Sequence, residues 1–306
     1  MSKVSVIIPV YNGAGFICDA IDSVFSQTFN DCEIIIVDDG STDDLTEVLR
    51  KYNNRIKYFY QKNNGPAAAR NKGISVSEGE HIAFLDADDI WLPTKLEKQI
   101  VLLESGSDIG FVYCDNYFVD ADRKVIPDYS REIKLLEGDI FLDFFCRHFI
   151  LTPAVILRKR CLDKIGLFNE GLAVGEDYDF FLRLAYLFKA GVVKEKLWER
   201  RILSNSLSRK DYIQDAMNDL FTLKNFIKQN PTVFLKNKKR ILERLGDYHL
   251  KFAYSLLENG KNFKAFSQLI LSVRYHASLK VLKNMMLCLL PFQLRKAIKE
   301  GMYAKS

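Results

Sequence analysis

His81-Ile-Ala-Phe-Leu-Asp-Ala-Asp-Asp89 is an apolar run that stops abruptly in three carboxylates, and it decides the fold because two earlier stretches share its layout. Glu33-Ile-Ile-Ile-Val-Asp-Asp39 repeats it, and Val4-Ser-Val-Ile-Ile-Pro-Val10 supplies a similar β-branched run ahead of Tyr11. A strand with one wet face alternates apolar and polar residues, so near-continuous apolar runs imply strands covered on both faces. Between the runs the spacing turns helical: Ile17, Ile21, Val24 and Phe25, then Leu45, Val48, Leu49 and Tyr52, each set forming one stripe. Strands alternating with helices predict an α/β architecture with a largely parallel, doubly wound sheet. In such sheets ligands bind beyond the carboxyl ends of the strands, where Tyr11, Asp38, Asp39, Asp86 and Asp88 fall.

Working outward, Ser41 is expected to cap the second helix, with Asp43 and Asp44 favoured by its dipole. A third helix is expected from Gly65-Pro66 through Ala67, Ala68 and Ala69, proline being tolerated in a first turn. Phe111 to Val119 and Thr152 to Leu157 read as further strands, with helices from about Asp139 and about Asp177. After Ser208 the strand signal disappears. Helical periodicity continues from Tyr212, broken at Asn230-Pro231, Asn259-Gly260 and Pro291. The expected organisation is an α/β domain over residues 1–209 and a helical domain over 210–306.

The composition, 48% hydrophobic and 27% charged over 306 residues, is that of a globular protein. An uninterrupted apolar stretch of roughly 18 residues, long enough to span a bilayer, is absent, as is a secretory signal pattern, so a cytoplasmic location is expected. The six cysteines form no C-x-x-C pair, which argues against a structural zinc site or a disulfide framework. His81, His148, His249 and His276 do not recur at metal-ligand spacing and receive no role. The net charge of +5 hides a division: residues 210–306 hold 18 Lys and Arg against 7 Asp and Glu, leaving residues 1–209 acidic. The acidic part is the better candidate for metal chemistry. The basic part suggests an anionic partner or a solvated helical surface, and within it Val281 to Lys299 mixes apolar residues with cations as a segment lying on an anionic membrane would. Dimerisation is a competing use of the same helices.

Four clusters bear chemistry. The carboxylates of Asp86-Ala87-Asp88-Asp89 repel one another unless a cation or donors compensate, and Mg2+ or Mn2+ often takes one or two protein carboxylates beside phosphate and water. An acidic turn before Trp91 is the plainer reading. Asp38 and Asp39 precede Gly40, and a carboxylate there can accept hydrogen bonds from a base or a ribose; capping accounts for part of that segment. Gly65 to Asn71 opens a helix with small residues and places Arg70 one turn in, either to grip phosphate or as an ordinary surface cation. Gly175-Glu176-Asp177-Tyr178-Asp179 brings acids to a helix start, where one would suffice as a cap.

Taken in order with Pro9-Val10-Tyr11-Asn12, these motifs closely resemble the family 2 glycosyltransferases of the GT-A fold over roughly residues 3–209. The resemblance implies a GT-A domain, Rossmann-like with a mostly parallel sheet flanked by helices, followed by a helical C-terminal region. It implies transfer of a sugar from a nucleoside-diphosphate donor, a UDP-sugar, to an acceptor hydroxyl with inversion, aided by Mn2+ or Mg2+. By the same resemblance Asp39 reads the base beside Pro9, Val10 and Tyr11; Gly65, Arg70 and Ala87 contact the donor, Asp86 meets the ribose, and Asp88 ligates the metal. Asp177 is the general base and Glu176 helps place the acceptor. The family's frequent histidine after the catalytic acid is replaced at the matching place by Leu203, so a third protein ligand to the metal is not expected there. The expected partners are the donor and a saccharide or lipid-linked acceptor, with no nucleic acid, peripheral contact at the inner membrane face, and self-association in a homodimer. Cell-surface polysaccharide or glycoconjugate assembly is the expected setting. A non-catalytic nucleotide-sugar-binding module and a Mg2+-dependent aspartyl phosphotransfer protein are the alternatives.

Overall fold

The computed structural model describes residues 2–127, 135–172, 174–203 and 212–276, together with Met285. It divides into two compact units, Met1–Ser206 and Leu207–Ser306.

In the first unit the chain order is β1 (Val4–Val10), α1 (Ile17–Phe25), β2 (Cys32–Asp38), α2 (Leu45–Leu49), β3 (Lys57–Tyr60), α3 (Pro66–Val76), β4 (His81–Phe84) and β5 (Ile90–Trp91). It continues with α4 (Lys95–Glu104), β6 (Ile109–Val119), α5 (Phe141–Cys146), β7 (Ile156–Arg158), α6 (Leu162–Ile165), α7 (Glu176–Leu187) and β8 (Lys189–Arg201). Eight strands form one sheet in the order β3-β2-β1-β4-β7-β6-β8-β5.

The three apolar runs become β1, β2 and β4, and they are buried as continuous runs are on a sheet covered on both faces. With β3 they make a parallel half whose carboxyl ends lie side by side, Val10 pairing in register with Asp38 and Asp38 with Tyr60. The other half is mixed. β7 runs antiparallel to both β4 and β6, β6 pairs in parallel with β8 through three register shifts, and β5 is antiparallel to β8. An apolar run specifies that a strand is buried, not which way it runs, so the parallel expectation holds for half the sheet. The strand expected from Thr152 starts later: Thr152–Ala154 is a 3-10 turn and β7 begins at Ile156. Pro153 has no N–H for a sheet ladder, which favours the turn.

α3 shows why its sequence is made of small residues. Ala67, Ala68, Ala69 and Gly73 bring its backbone close to the sheet, and a Cβ at Gly73 would stand 2.4 Å from Ile7 Cγ2. α1 likewise buries Ile17, Ala20, Ile21 and Val24 along one stripe.

The second unit holds α8 (Tyr212–Gln229), α9 (Pro231–Glu258) and α10 (Asn262–Tyr275), broken at Asn230-Pro231 and Asn259-Gly260. Pro231 occupies a first-turn position, and Gly260 takes φ +70°, a conformation in which a side chain would be strained. Leu250, Ala253, Leu256, Leu257, Ala265 and Leu269 form a core between α9 and α10, with Phe266 and Met285 packed against it. His249 is buried on α9: its Nδ1 lies 2.7 Å from Gln268 Oε1 of α10, and burial lowers its pKa. The break at Pro291 and the rest of the Val281 to Lys299 segment lie outside the described residues. Among the described residues no helix is long and apolar enough to cross a membrane, and Cys18, Cys32, Cys114 and Cys161 are free thiols.

Candidate active site

The site is assembled at the carboxyl ends of β1, β2 and β4 and the start of α7. The loops after β1 and β2 are tied first. Asp39 N donates to Val10 O at 2.8 Å, Asn12 N to Ser41 Oγ at 2.9 Å, and Ala14 N to Asp43 Oδ2 at 2.8 Å. Asn12 takes φ +52°, which an asparagine tolerates better than most residues, and its Oδ1 accepts the Thr42 N–H. This corrects the capping expectation. The helix that follows starts only at Leu45, with Asp44 at its cap position and no side-chain cap, because Ser41 and Asp43 are spent on the neighbouring loop. Tyr11, 54% exposed, projects beside these ties, while Val10 is buried and Pro9 half-buried.

Asp38 and Asp39 are buried and heavily hydrogen-bonded. Asp38 accepts from Ser41 N at 2.8 Å and from the Tyr58 hydroxyl at 2.6 Å. Asp39 Oδ1 accepts from Gln61 Nε2 and Asn64 N, and its Oδ2 accepts from Gly65 N at 2.8 Å. Gly65, at φ +88°, turns the chain into α3 with its N–H on that carboxylate, and Gly40, at φ +81°, lies where a Cβ would meet Asn63 N at 2.8 Å. Sequence reading missed Tyr58 and Gln61, since they lie on and just after β3, whose four residues alternate in burial and give a short signal.

Arg70, one turn into α3, is 6% exposed. Its Nη2 lies 3.0 Å from Asp86 Oδ1 and its Nη1 2.7 Å from Glu176 Oε1. It is therefore no ordinary surface cation: it bridges the end of β4 and the start of α7, positions separated by 90 residues. One chain of contacts thus runs from Val10 through Asp39 and Gly65 into α3, and from Arg70 to both Asp86 and Glu176.

The β4 cluster has few compensating groups. Asp86, Ala87 and Asp88 are half-buried and Asp89 is buried, its Oδ1 accepting from Arg201 N at 3.1 Å. Burial, followed by the Asp86 charge, pushes the Asp88 carboxyl up to about 6, with Arg200 and Arg201 opposing. Asp89 is held well above the usual carboxylate range, by burial first and then by Asp88 and Asp86. Groups of three or more potential metal ligands are absent among the described residues, and Leu203 offers no donor atom. The residues present fit a cation that draws on one or two protein carboxylates and completes its shell elsewhere, because a divalent charge would relieve the strained ionisation of Asp88. Arg201 is ion-paired with Asp19 and lies 5.2 Å from the Phe16 ring centre.

At the start of α7, Gly175 takes φ +82°, and Glu176, Asp177 and Asp179 occupy the first turn. The three acids have different fates. Glu176 is buried on Arg70, and its pKa is raised by burial and by Asp177 against the pull of Arg70. Asp179 pairs with Arg183 at 2.7 Å. Asp177 keeps a quarter of its side chain exposed, accepts the Tyr178 N–H at Oδ1 and places Oδ2 3.7 Å from His148 Nε2. His148 had no role in the sequence; it lies 29 residues upstream, at a distance no spacing rule covers.

Comparison with known proteins places this arrangement. Residues 5–166 match the profile of glycosyl transferase family 2. An uncharacterized glycosyltransferase of Rickettsia typhi is 33% identical over 264 residues, 82% of this chain and 81% of that protein. The chain spans only about a third of the length of three other matching Rickettsia relatives, among them that of Rickettsia conorii at 38% identity. Among solved structures, Staphylococcus aureus TarS 1-349 in complex with UDP-GlcNAc aligns with TM-score 0.59 at 19% identity, covering 87% of this chain and 89% of that one. The mannosyltransferase PcManGT of Pyrobaculum calidifontis, in complex with GDP-Man and Mn2+, aligns with TM-score 0.64 at 18% identity over 100% of this chain and 88% of its own. At such identities these two structures bear on the fold, which is GT-A.

Proposed function

The chain belongs to glycosyl transferase family 2, and from that premise we propose that it transfers a sugar from a UDP-sugar to an acceptor hydroxyl with inversion of the anomeric centre. The observation that supports this best is the Arg70 bridge, which fixes the acid of the expected donor motif, Asp86, to the helix that bears Asp177. Bound donor and a base on α7 would then be held in register by one buried guanidinium. Membership of the family sets aside the aspartyl phosphotransfer alternative.

In this reading Pro9, Val10, Tyr11 and Asp39 receive the base, Asp39 through the lone pair left on Oδ2. Gly65, Asp86 and Ala87 border the ribose and diphosphate, and Arg70 serves the donor by holding Asp86. Asp88 would hold Mn2+ or Mg2+, which when bound supplies charge against the departing diphosphate. Asp177 takes the proton of the acceptor hydroxyl as its oxygen attacks the anomeric carbon, and the carbon–oxygen bond to the diphosphate breaks. Glu176, fixed by Arg70, supports the acceptor side. The acceptor class is a saccharide or a lipid-linked saccharide of cell-surface polysaccharide or glycoconjugate assembly. Peripheral membrane contact by the second unit is part of the proposal, supported by its excess of cations and by exposed Leu235 and Phe263.

A panel of nucleotide sugars that includes UDP-GlcNAc and GDP-mannose, screened by thermal unfolding with Mn2+, tests the donor assignment. A UDP-sugar is expected to raise the midpoint, and Asp88→Ala to remove that gain. Stabilisation by GDP-mannose alone would replace the uridine assignment, and binding without release of nucleoside diphosphate in the presence of acceptor would favour the binding-module alternative.

A further inference from the structure

The Asp177 carboxylate has a neighbour that the mechanism above does not use. His148 Nε2 lies 3.7 Å from Asp177 Oδ2, shielded from solvent and without a hydrogen-bond partner among the described residues. The imidazole is clamped in place. It stacks on the Tyr178 ring at 4.9 Å and 30°, and meets the Phe144 ring edge-on at 5.5 Å. Tyr178 is itself pinned, its hydroxyl donating to Phe145 O at 2.9 Å, and Phe144, Phe145 and Tyr178 are fully buried. From α7 the imidazole therefore faces Asp177 and Tyr178, and from α5 the Phe144 ring.

Stacking alone would be served as well by phenylalanine, which brings no polar nitrogen into a shielded place. An uncompensated buried nitrogen has a cost, and here it is aimed at the carboxylate assigned as base. Resting on that assignment, we propose that His148 is a positioning residue for Asp177: the neutral imidazole carries its proton on Nε2 and donates it to Oδ2. A shortening of about 0.7 Å converts the present contact into an ordinary hydrogen bond, and catalytic hydrogen bonds are often long without substrate and tighten once it is bound. With Oδ1 already accepting the Tyr178 N–H at 2.8 Å, the second tether fixes the plane of the carboxylate and leaves one lone pair on each oxygen for the acceptor. One restraint comes from Tyr178 of α7 and the other from His148 in the segment that follows α5, so the base is oriented by the packing of that segment against α7.

Two measurements on the full chain test this. The first needs no substrate: ring 15N spectra of labelled histidine at pH 8, in which the His148 signals are those lost in His148→Gln. The expected result is a proton on Nε2 and a change in these signals in Asp177→Asn. An Nε2 without a proton, or signals indifferent to Asp177→Asn, would overturn the proposal.

The second follows nucleoside diphosphate released from UDP-GlcNAc or GDP-mannose in Mn2+. His148→Phe keeps the ring and is expected to lower kcat about 10- to 100-fold, the range for residues that orient a reactive group, with the donor KM unchanged. His148→Gln restores an N–H donor and is expected to recover most of that loss. Should His148→Phe unfold, His148→Gln and the spectra still decide. Full activity in Asp177→Asn would reject the base assignment itself, whereas loss in Asp177→Asn with full activity in His148→Phe would reject only the role of His148.

Discussion

At the end of β2, Asp38 and Asp39 accept five hydrogen bonds from Ser41, Tyr58, Gln61, Asn64 and Gly65. At the end of β4, burial and mutual repulsion hold Asp88 and Asp89 above the usual carboxylate range, and Asp86 leans on one guanidinium shared with Glu176. The two clusters look alike in the sequence, neighbouring acids closing an apolar strand. The first is a fastener: its donors are backbone N–H groups and side chains of the loops it ties together. The second keeps its charges largely uncompensated, and it adjoins the helix start where Asp177 stays partly open. Acidity at a strand end therefore does not by itself mark a reactive site. What separates the two is how many donors the neighbouring loops direct at each.

That contrast can be broken most sharply at Asp177. Asp177→Asn keeps the side-chain shape and is expected to lower kcat about 1000-fold, within the range for general-base removal, while donor affinity stays within about twofold. Calorimetric binding of donor beside steady-state release of nucleoside diphosphate checks both halves, and a collapse of affinity would move Asp177 into the donor site.

Next in size is the fastener. Asp39→Ala strands the Gly65 and Asn64 N–H groups and the Gln61 amide, and is expected to cost about 3 kcal/mol in urea unfolding. A loss below about 1 kcal/mol would mean that Asp39 is less committed to structure than its hydrogen bonds indicate.

The smallest expected effect is a pH dependence of opposite sign at the β4 cluster. The Asp88 carboxyl stands near 6 in the folded chain against an ordinary 3.8, so between these values the folded chain holds a proton that the unfolded chain releases. Stability in metal-free buffer should therefore rise as pH falls from 7 to 5, by about 1 kcal/mol from this group. Asp88→Asn should subtract that rise, as should saturating Mn2+; parallel pH curves for wild type and Asp88→Asn would show that the cluster is already compensated.

The parallel half of the first unit was legible because continuous β-branched runs and small-residue helix starts are local signals, set by what each segment must bury. The breaks in the second unit were legible for a similar reason, since proline at 231 and glycine at 260 act on their own backbone. The mixed half of the sheet was not. β5 is two residues long, and β8 pairs in opposite senses with its two neighbours, choices made by partners distant in the chain.

The sequence by itself determined that acids would gather at strand ends and at a helix start, because hydrophobic patterning and glycine positions fix where strands stop and helices begin. Tertiary structure alone decided what each acid does. It turned Ser41 and Asp43 from an expected cap into ties on the neighbouring loop, committed Arg70 to Asp86 and Glu176 across 16 and 106 positions, and brought His148 to Asp177. Hydrogen bonds and ion pairs act over a few ångströms, and only the packed chain sets which residues come that close.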